Sequence, residues 1–208
     1  MEPRNLRLKH RIVLIVFTWV YVPENSGLER FNYLALREFT GKLVCFQRVR
    51  GEQIPQIVEE RGGYGWTGND LFVDYCLSRD GTSVRVLKSQ PWPEETKPKL
   101  CLLGPAEKNP RTYYFYNGDR VAAPSRYQNI IERYFEQLQW YPDVQFLDGQ
   151  VDRQVRQGNA DLSIDIVYSG RTMQEERLSI YDTIFDKSGL VLLKREDSLK
   201  EEVSSDGI

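Results

Sequence analysis

The sequence predicts an α/β protein with parallel strands that folds as two lobes. Near the start of the chain, apolar segments rich in β-branched residues alternate with segments of helical spacing, a pattern typical of parallel-sheet folds. A proline-rich stretch at 90–98 then breaks any regular element and indicates a boundary between lobes. The length of 208 residues is sufficient for one domain or for two small lobes, and the boundary favours two.

The first lobe is predicted to begin with a strand at Ile12–Val22, where β-branched and aromatic residues indicate burial on both faces. This run is about half as long as a membrane helix, which needs roughly 20 residues, and no cleavage site of the A-x-A kind follows it. A soluble, cytoplasmic protein is therefore expected. Spacing and stop signals then predict a helix at Leu28–Phe39, a strand at Leu43–Val49 and a helix at Ile54–Glu60.

The second lobe is predicted to follow the proline-rich boundary. Ser125 is expected to cap its longest helix, because Gln128 stands three residues later, at the spacing of a capping box. Another helix is predicted from Thr172 to about Phe185. Strands are predicted at Leu100–Leu103, Arg120–Ala123, Val144–Leu147, Leu162–Val167 and Leu190–Leu193.

Charge and cysteine content exclude several classes of function. Charged residues make up 28% of the chain but the net charge is −2, so nothing favours nucleic acid as the main partner. Cys45, Cys76 and Cys101 are widely spaced and form no CxxC pair, and there is one histidine. A structural zinc site and a disulfide framework are therefore not expected, and a reducing compartment is.

The segment Gly158–Met173 carries the strongest chemical signal. A buried strand containing Asp165 runs into a turn formed by Ser169, Gly170, Arg171 and Thr172, and a helical pattern follows. Backbone N–H groups, a helix N-terminus and hydroxyls together favour an anion such as phosphate. The alternative is a plain tight turn, with Thr172 as N-cap and Glu175 completing a capping box. For Asp161, at the start of the same strand, a structural role is expected.

Three blocks of residues follow one another along the chain. They are Arg48-Val49-Arg50 with Ile54-Pro55 and Gly65-Trp66-Thr67-Gly68; Arg120-Val121-Ala122 with Arg133-Tyr134-Phe135 and Gly149-Gln150-Val151-Asp152; and Gly158-Asn159-Ala160-Asp161 with Asp165-Ile166-Val167 and the Ser169–Thr172 turn. In order and approximate spacing, these blocks resemble the catalytic subunit of ATP phosphoribosyltransferase, the first enzyme of histidine biosynthesis.

The resemblance implies two α/β lobes of the type II periplasmic-binding-protein kind, with the active site in the cleft between them. The final strand would return to the first lobe, so that lobe I spans 1–95 and 180–208 and lobe II spans 96–179. The implied reaction transfers the 5-phosphoribosyl group from PRPP to N1 of ATP, with Mg²⁺ as cofactor and release of pyrophosphate. Such a reaction depends on positioned charge rather than on a covalent nucleophile.

The resemblance also implies roles for individual residues. The Ser169–Thr172 turn would hold the 5-phosphate, and Asp165 would contact ribose hydroxyls or a hydrated Mg²⁺. Arg50 would meet phosphates of PRPP or of the nucleotide, with a plain surface charge as an even alternative, and Asp152 would face the same cleft. The nucleotide side of the cleft would include Gly27, Gly65, Thr67 and Gly68, although Gly65 and Gly68 could reflect turn geometry alone.

Departures from the family pattern lie mostly in the first lobe. The segment Asn25-Ser26-Gly27-Leu28 keeps the glycine of a K-x-G-R-L-like loop but has neither cation, and the stretch before Leu43 is short. These changes leave an alternative open, in which the chain is a diverged, non-catalytic binding subunit that retains the phosphate cradle. The resemblance is to the short form of the family. It implies a homo-oligomer, or a hetero-oligomer with a regulatory subunit related to histidyl-tRNA synthetases.

Overall fold

Two mixed five-stranded sheets, each packed against helices, form the two lobes of the protein. The computed structural model describes residues 17–95 and 97–196. The first sheet has the order β2-β1-β3-β10-β4, with strands β1 (Thr18–Pro23), β2 (Val44–Val49), β3 (Tyr64–Gly68), β4 (Val84–Pro91) and β10 (Gly189–Arg195). The second has the order β7-β6-β8-β5-β9, with strands β5 (Lys99–Pro105), β6 (Arg120–Pro124), β7 (Asp143–Leu147), β8 (Leu162–Val167) and β9 (Leu178–Phe185).

Seven α-helices lie among the described residues. They are α1 (Ser26–Glu29), α2 (Asn32–Glu38), α3 (Ile54–Arg61), α4 (Asn69–Leu77), α5 (Gln128–Leu138), α6 (Val151–Arg156) and α7 (Arg171–Glu175). None of the helices within residues 17–95 and 97–196 reaches the length and apolarity required to cross a lipid bilayer.

The parallel strands predicted from the sequence are present in both sheets. β1 pairs in parallel with β2 and β3, and β6 pairs in parallel with β7 and β8. β10 and β5 run antiparallel to their neighbours, so both sheets are mixed. The first predicted strand is buried on both faces at Val20–Val22, as expected, while Ile12–Val16 lie outside the described residues.

The predicted helix from Thr172 to Phe185 is wrong. Helix α7 ends at Glu175, and the chain continues as β9, which pairs with β5 and forms the edge of the second sheet. A ladder of backbone hydrogen bonds to β5 is a tertiary interaction, and it overrides local helical spacing. The chain therefore leaves the second sheet after Phe185, a few residues later than the division expected at 180, and β10 then joins the first sheet.

The capping box predicted at Ser125 is also wrong. Residues Ser125–Tyr127 form a 3-10 turn in which no side chain caps the helix. The cap comes from the other lobe instead, because Asp74 on α4 accepts hydrogen bonds from the Ile130 backbone N–H and from the Asn129 amide, both at 2.9 Å. A carboxylate at a helix N-terminus satisfies free N–H groups and complements the helix dipole. This contact fixes α5, and the turn before it, against the first lobe.

Other predicted boundaries differ because of packing. The single helix predicted at Leu28–Phe39 is divided into α1 and α2, and the ring of Phe31 at the break lies 4.8 Å from that of Trp92. Strands β3 and β4 and helices α4 and α6 were not predicted. Strand β4 is largely exposed along its length, so its residues have no clear alternation of apolar and polar types.

Glu59 joins α3, α4 and β4 through its carboxylate. It accepts hydrogen bonds from the hydroxyls of Tyr75 and Thr82, from the Ser83 backbone N–H at 2.8 Å, and from the Arg79 guanidinium at 2.9 Å. The hydrogen bonds from Tyr75, foremost, and from Thr82 and Ser83 lower the pKa of Glu59 from the ordinary 4.5 to about 2. The carboxylate thus favours the folded state whenever it is ionised.

We expect acid to remove this contribution. Because the folded-state pKa is lowered, the stabilisation is complete above pH 5 and disappears as the pH falls toward 2, a loss of roughly 3 kcal/mol at most. Denaturant unfolding between pH 7 and pH 3 measures it. Glu59→Gln should be less stable at pH 7 and show a flatter pH dependence. Glu60→Gln, on the same helix, should keep the wild-type slope, and equal slopes in Glu59→Gln and wild type would contradict the prediction.

Candidate active site

Three adjoining cavities lie at the cleft, of which A and B are lined by both lobes and C by the second lobe alone. Cavity A has a volume of about 450 Å³ and is lined by Glu24, Asn25, Arg50 and Glu52 from the first lobe and by Pro124, Arg126, Asp148, Gln150 and Asp165 among others from the second. Cavity B, about 420 Å³, includes Gly27, Arg30, Asp70, Trp92, Arg126, Tyr127 and Tyr168. Cavity C, about 90 Å³, includes Asp152, Asp165, Tyr168, Ser169, Gly170 and Arg171.

Asp165 and Asp152 share cavity C, as the sequence predicted for two acidic residues of one cleft. Asp165 lies near the carboxyl end of β8, and Asp152 in the first turn of α6. Burial raises the pKa of Asp165, and the negative charge of Asp152 raises it further, while the Ile166 backbone N–H and Arg126 act in the opposite direction. The two carboxylates thus form an acidic wall that is ready to contact cationic or hydroxyl groups.

The predicted phosphate turn leaves β8 at the same end. Ser169 Oγ lies 3.5 Å from the Arg171 backbone N, and Gly170 has φ +73°, a left-handed conformation that favours glycine. The Arg171 guanidinium bonds Glu175 at 2.8 Å and is largely exposed. The side chain of Thr172 lies outside the described part of the structure. Strand, turn and helix follow in the predicted order, but α7 has five residues, so it adds little helix dipole.

Arg50 lies at the wall of cavity A, across from Asp165. It precedes a 3-10 turn, Gly51–Gln53, that is held at both backbone groups of Gly51. The Gly51 N–H donates to Asn25 Oδ1 at 2.5 Å, and its carbonyl accepts from Thr67 Oγ1 at 2.8 Å. Asn25 also donates to Glu52 at 3.2 Å. Asn25 and the buried Thr67 therefore position the cavity wall that carries Arg50 and Glu52.

The residues predicted for the nucleotide side divide into two groups. Gly27 lines cavity B, whereas Gly65, Thr67 and Gly68 line none of the three cavities. A Cβ on Gly65 would approach methyl groups of Ile54 and Val58 to 2.5 and 2.7 Å, so this glycine allows α3 to pack on β3. Gly65, Thr67 and Gly68 therefore contribute to the packing and hydrogen bonding of β3 and do not line the cavities themselves.

Asp161 has the structural role that was expected for it. It pairs with Arg120 at 3.0 Å and accepts the Arg120 backbone N–H at 2.9 Å, which joins the starts of β6 and β8. This contact lies away from the cleft. Asp161 precedes β8, so it does not share the strand face of Asp165.

Several cleft residues were not predicted. Arg126 lines cavities A and B from the turn before α5, and Asp70 lines cavity B, where its carboxylate accepts the Tyr127 hydroxyl at 2.7 Å. Burial raises the pKa of Asp70. Arg30 pairs with Glu94 at 3.2 Å and stacks over Tyr168 at 5.0 Å. The position of Arg126 after a buried strand end was the available signal, since ligands of α/β folds lie at such ends.

Comparisons with known proteins agree in both sequence and fold. Residues 50–206 match the family model described as ATP phosphoribosyltransferase. A protein of Pyrococcus furiosus with that name is 30% identical over 164 residues, 77% of this chain and 74% of that protein. One of Thermococcus kodakarensis is 27% identical over 147 residues, 71% and 67% of the two chains.

Two solved structures share the fold. The ATP phosphoribosyl transferase (HisG:HisZ) complex from Thermotoga maritima matches with a TM-score of 0.67 and 23% identity, covering 91% of this chain and 94% of that one. The periplasmic aliphatic sulphonate binding protein SsuA from Escherichia coli matches with a TM-score of 0.60 and 12% identity, covering 91% and 68%. These likenesses, with the two sheets and the cleft between them, confirm the predicted two-lobed fold of the type II periplasmic-binding-protein kind.

Proposed function

This chain belongs to the ATP phosphoribosyltransferase family, and from that premise we propose how its inter-lobe cleft carries out the family's reaction. The chain is a pentosyltransferase that transfers the 5-phosphoribosyl group of PRPP to N1 of ATP, the first step of histidine biosynthesis. Family membership does not favour the alternative of a non-catalytic subunit. The observation that carries the proposal for the cleft is Asp165, which lines both cavity A and cavity C and so connects the phosphate turn with the larger space.

PRPP is proposed to bind with its 5-phosphate at the Ser169–Thr172 turn and its ribose beside Asp165. The backbone N–H groups of the turn and the left-handed Gly170 support phosphate binding there. The reaction forms a bond between N1 and the anomeric carbon and breaks the bond from that carbon to the pyrophosphate oxygen. A carboxylate next to the ribose stabilises positive charge that develops on the sugar.

ATP is proposed to bind with its adenine in cavity B. Aromatic rings of Trp92 and Tyr168 form part of that wall, and aromatic faces suit a purine. Asp70 accepts one hydrogen bond from Tyr127 and has further acceptor capacity, which suits the exocyclic amino group of adenine. The base would then approach the ribose from the first lobe.

Mg²⁺ is proposed to enter as part of the PRPP complex. Among the described residues there is no group of three or more His, Cys, Asp or Glu side chains that could hold a metal ion. Asp152 and Asp165 provide two carboxylates, the number that Mg²⁺ typically takes where substrate phosphates and water complete its octahedron. The ion would neutralise phosphate charge beside these carboxylates.

A regulatory partner and a compartment complete the proposal. The HisG:HisZ complex of Thermotoga maritima supports assembly with a second subunit, which the sequence predicts to be related to histidyl-tRNA synthetases. A homo-oligomer is the other form to be distinguished. The free thiols of Cys45, Cys76 and Cys101 support a reducing, cytoplasmic location.

The expected result is formation of phosphoribosyl-ATP from PRPP, ATP and Mg²⁺ by the purified full chain. Product is detected by chromatography and mass spectrometry, with and without the regulatory partner. Pyrophosphate should appear in equal amount, because each transfer releases one molecule. Folded protein that turns over in neither condition would contradict the proposal.

A further inference from the structure

The cations that face the cleft come from outside the Asn25–Leu28 loop, which has none. Arg30, Arg50 and Arg126 line the cavities. Arg30 is paired with Glu94 at 3.2 Å, and Arg50 lies 4.0 Å from Glu52. Within residues 17–95 and 97–196, no carboxylate lies within 4.0 Å of the Arg126 guanidinium. Arg126 also hydrogen-bonds to Tyr127, which leaves most of the five N–H donors of its guanidinium for a ligand.

Arg126 also has a distinctive position. Cavities A and B share two lining residues, Asn25 and Arg126, so Arg126 lies where the two spaces meet. Its charge acts on Asp165 in cavity A and on Asp70 in cavity B, lowering the pKa of both carboxyls against the effect of burial. The guanidinium lies 5.3 Å from the Tyr127 ring, and the Asp74 cap on α5 holds the following helix against the first lobe.

We propose that Arg126 binds the pyrophosphate group of PRPP and stabilises it as the leaving group. The inference rests on the proposed function and adds a catalytic residue to it. As N1 of ATP bonds to the anomeric carbon, the carbon–oxygen bond breaks and its electron pair stays on the pyrophosphate oxygen. A guanidinium presents five N–H donors in a planar fork that matches phosphate oxygens, so it stabilises this developing charge.

The geometry of the reaction distinguishes pyrophosphate from the triphosphate of ATP. Pyrophosphate is attached to the same carbon that N1 attacks, and it leaves from the face of that carbon opposite to N1. With adenine in cavity B, that face is turned toward cavity A, which Arg126 also lines. The triphosphate of ATP is carried through N9, at the opposite end of the purine from N1. It is therefore directed away from the reacting carbon, and from the junction where Arg126 lies.

Arg126 also explains how the first loop functions without its own cations. The Asn25 side chain, which lines the same junction, holds the turn that carries Arg50 and Glu52. In this chain the first lobe provides shape and hydrogen bonds at the junction. The second lobe provides positive charge at this junction through Arg126, in addition to Arg50 and Arg30 of the first lobe, which line cavities A and B.

The test compares ligands that differ in pyrophosphate. Calorimetry with wild type and Arg126→Gln uses PRPP, inorganic pyrophosphate, ribose 5-phosphate and ATP, each with Mg²⁺. Arg126→Gln should bind PRPP and pyrophosphate at least ten-fold more weakly, while the Kd of ribose 5-phosphate changes less than two-fold. Its kcat should fall about 100-fold, as for loss of one oxyanion donor. Arg126→Lys should recover part of the lost affinity and part of the lost kcat. Arg133→Gln changes an exposed arginine on α5 and should match wild type in affinity and kcat.

Three outcomes would overturn the assignment. Unchanged pyrophosphate affinity in Arg126→Gln would show that Arg126 does not contact this group. Equal loss of ribose 5-phosphate affinity would show a structural effect, and loss of ATP affinity alone would move Arg126 to the nucleotide. Wild type that binds no PRPP would instead reject the proposed function together with this role. If wild type binds PRPP and Arg126→Gln binds it equally well, only the role of Arg126 is rejected.

Discussion

Asp165→Asn is expected to lower kcat for phosphoribosyl transfer by about 10²–10³-fold while the protein stays folded. The amide is nearly the same size but carries no charge, so positive charge that develops on the ribose loses its nearest stabilising group. Among the described carboxylates, Asp165 is the one that lines both cavity A and cavity C, the two spaces that form the proposed PRPP site. Steady-state kinetics with PRPP as the varied substrate, alongside circular dichroism, measures the effect.

The pH profile provides a second measurement of the same role. Burial and the charge of Asp152 raise the pKa of Asp165, so activity should fall as acid protonates this carboxyl. Asp152→Asn removes one of the charges that raise it, and the acidic limb of kcat/KM should therefore move to lower pH. A profile that does not move would contradict the coupling between the two carboxylates.

A matched control lies just before the same strand. Asp161→Asn removes a carboxylate that pairs with Arg120 away from the cleft, and kcat should remain within about two-fold of wild type. An equal loss of activity in both variants would indicate damage to β8 as a whole. Wild-type kcat in Asp165→Asn would show that the carboxylate takes no part in the reaction.

Asp74→Ala is expected to destabilise the protein by about 2–4 kcal/mol, because one buried and one partly buried donor lose their acceptor. Asp74 is 7% exposed, and its carboxylate accepts hydrogen bonds from the Ile130 backbone N–H and the Asn129 amide, both at 2.9 Å. For a chain of this length the loss corresponds to a decrease in Tm of roughly 5–15 °C. Thermal and denaturant unfolding measure it.

Asp74→Asn separates the hydrogen bond from the charge. Its amide oxygen can still accept from the Ile130 N–H, so less than half of the loss is expected. Asp80→Ala removes an exposed carboxylate in the loop after α4, serves as the surface comparison and should change stability by no more than about 0.5 kcal/mol. A Tm in Asp74→Ala equal to that of wild type would show that α5 does not depend on this inter-lobe cap.

Agreement between sequence and structure is best where the signal is local. Residues Leu162–Val167 form β8 as predicted, because a run of apolar residues in the interior of a sheet needs no knowledge of its neighbours to be recognised. The turn after it is equally local, since Gly170 occupies the left-handed conformation that glycine accepts most easily. Asp165 and Asp152 were predicted to share one cleft, and both line cavity C.

Disagreement arises where a distant partner determines the conformation. The segment Leu178–Phe185 has helical spacing, yet β5 supplies a free sheet edge that makes it a strand. The cap on α5 comes from Asp74, which lies 56 residues before Ile130. Ser125, the local candidate, forms part of a 3-10 turn instead. Local propensities are worth a few tenths of a kcal/mol to 1 kcal/mol per residue, so one buried tertiary contact reverses them.

The amino-acid sequence by itself determined the two α/β lobes, the turn at Ser169–Thr172 and the family, since each depends on patterns of residues that are close together along the chain. Only the tertiary structure decided which cations and carboxylates meet. Arg126 joins Asp70 and Asp165 around the cleft because strands β6 and β8 end beside each other and α4 packs across from α5. Such a site is a property of distances between segments. Spacing along the chain carries no record of those distances.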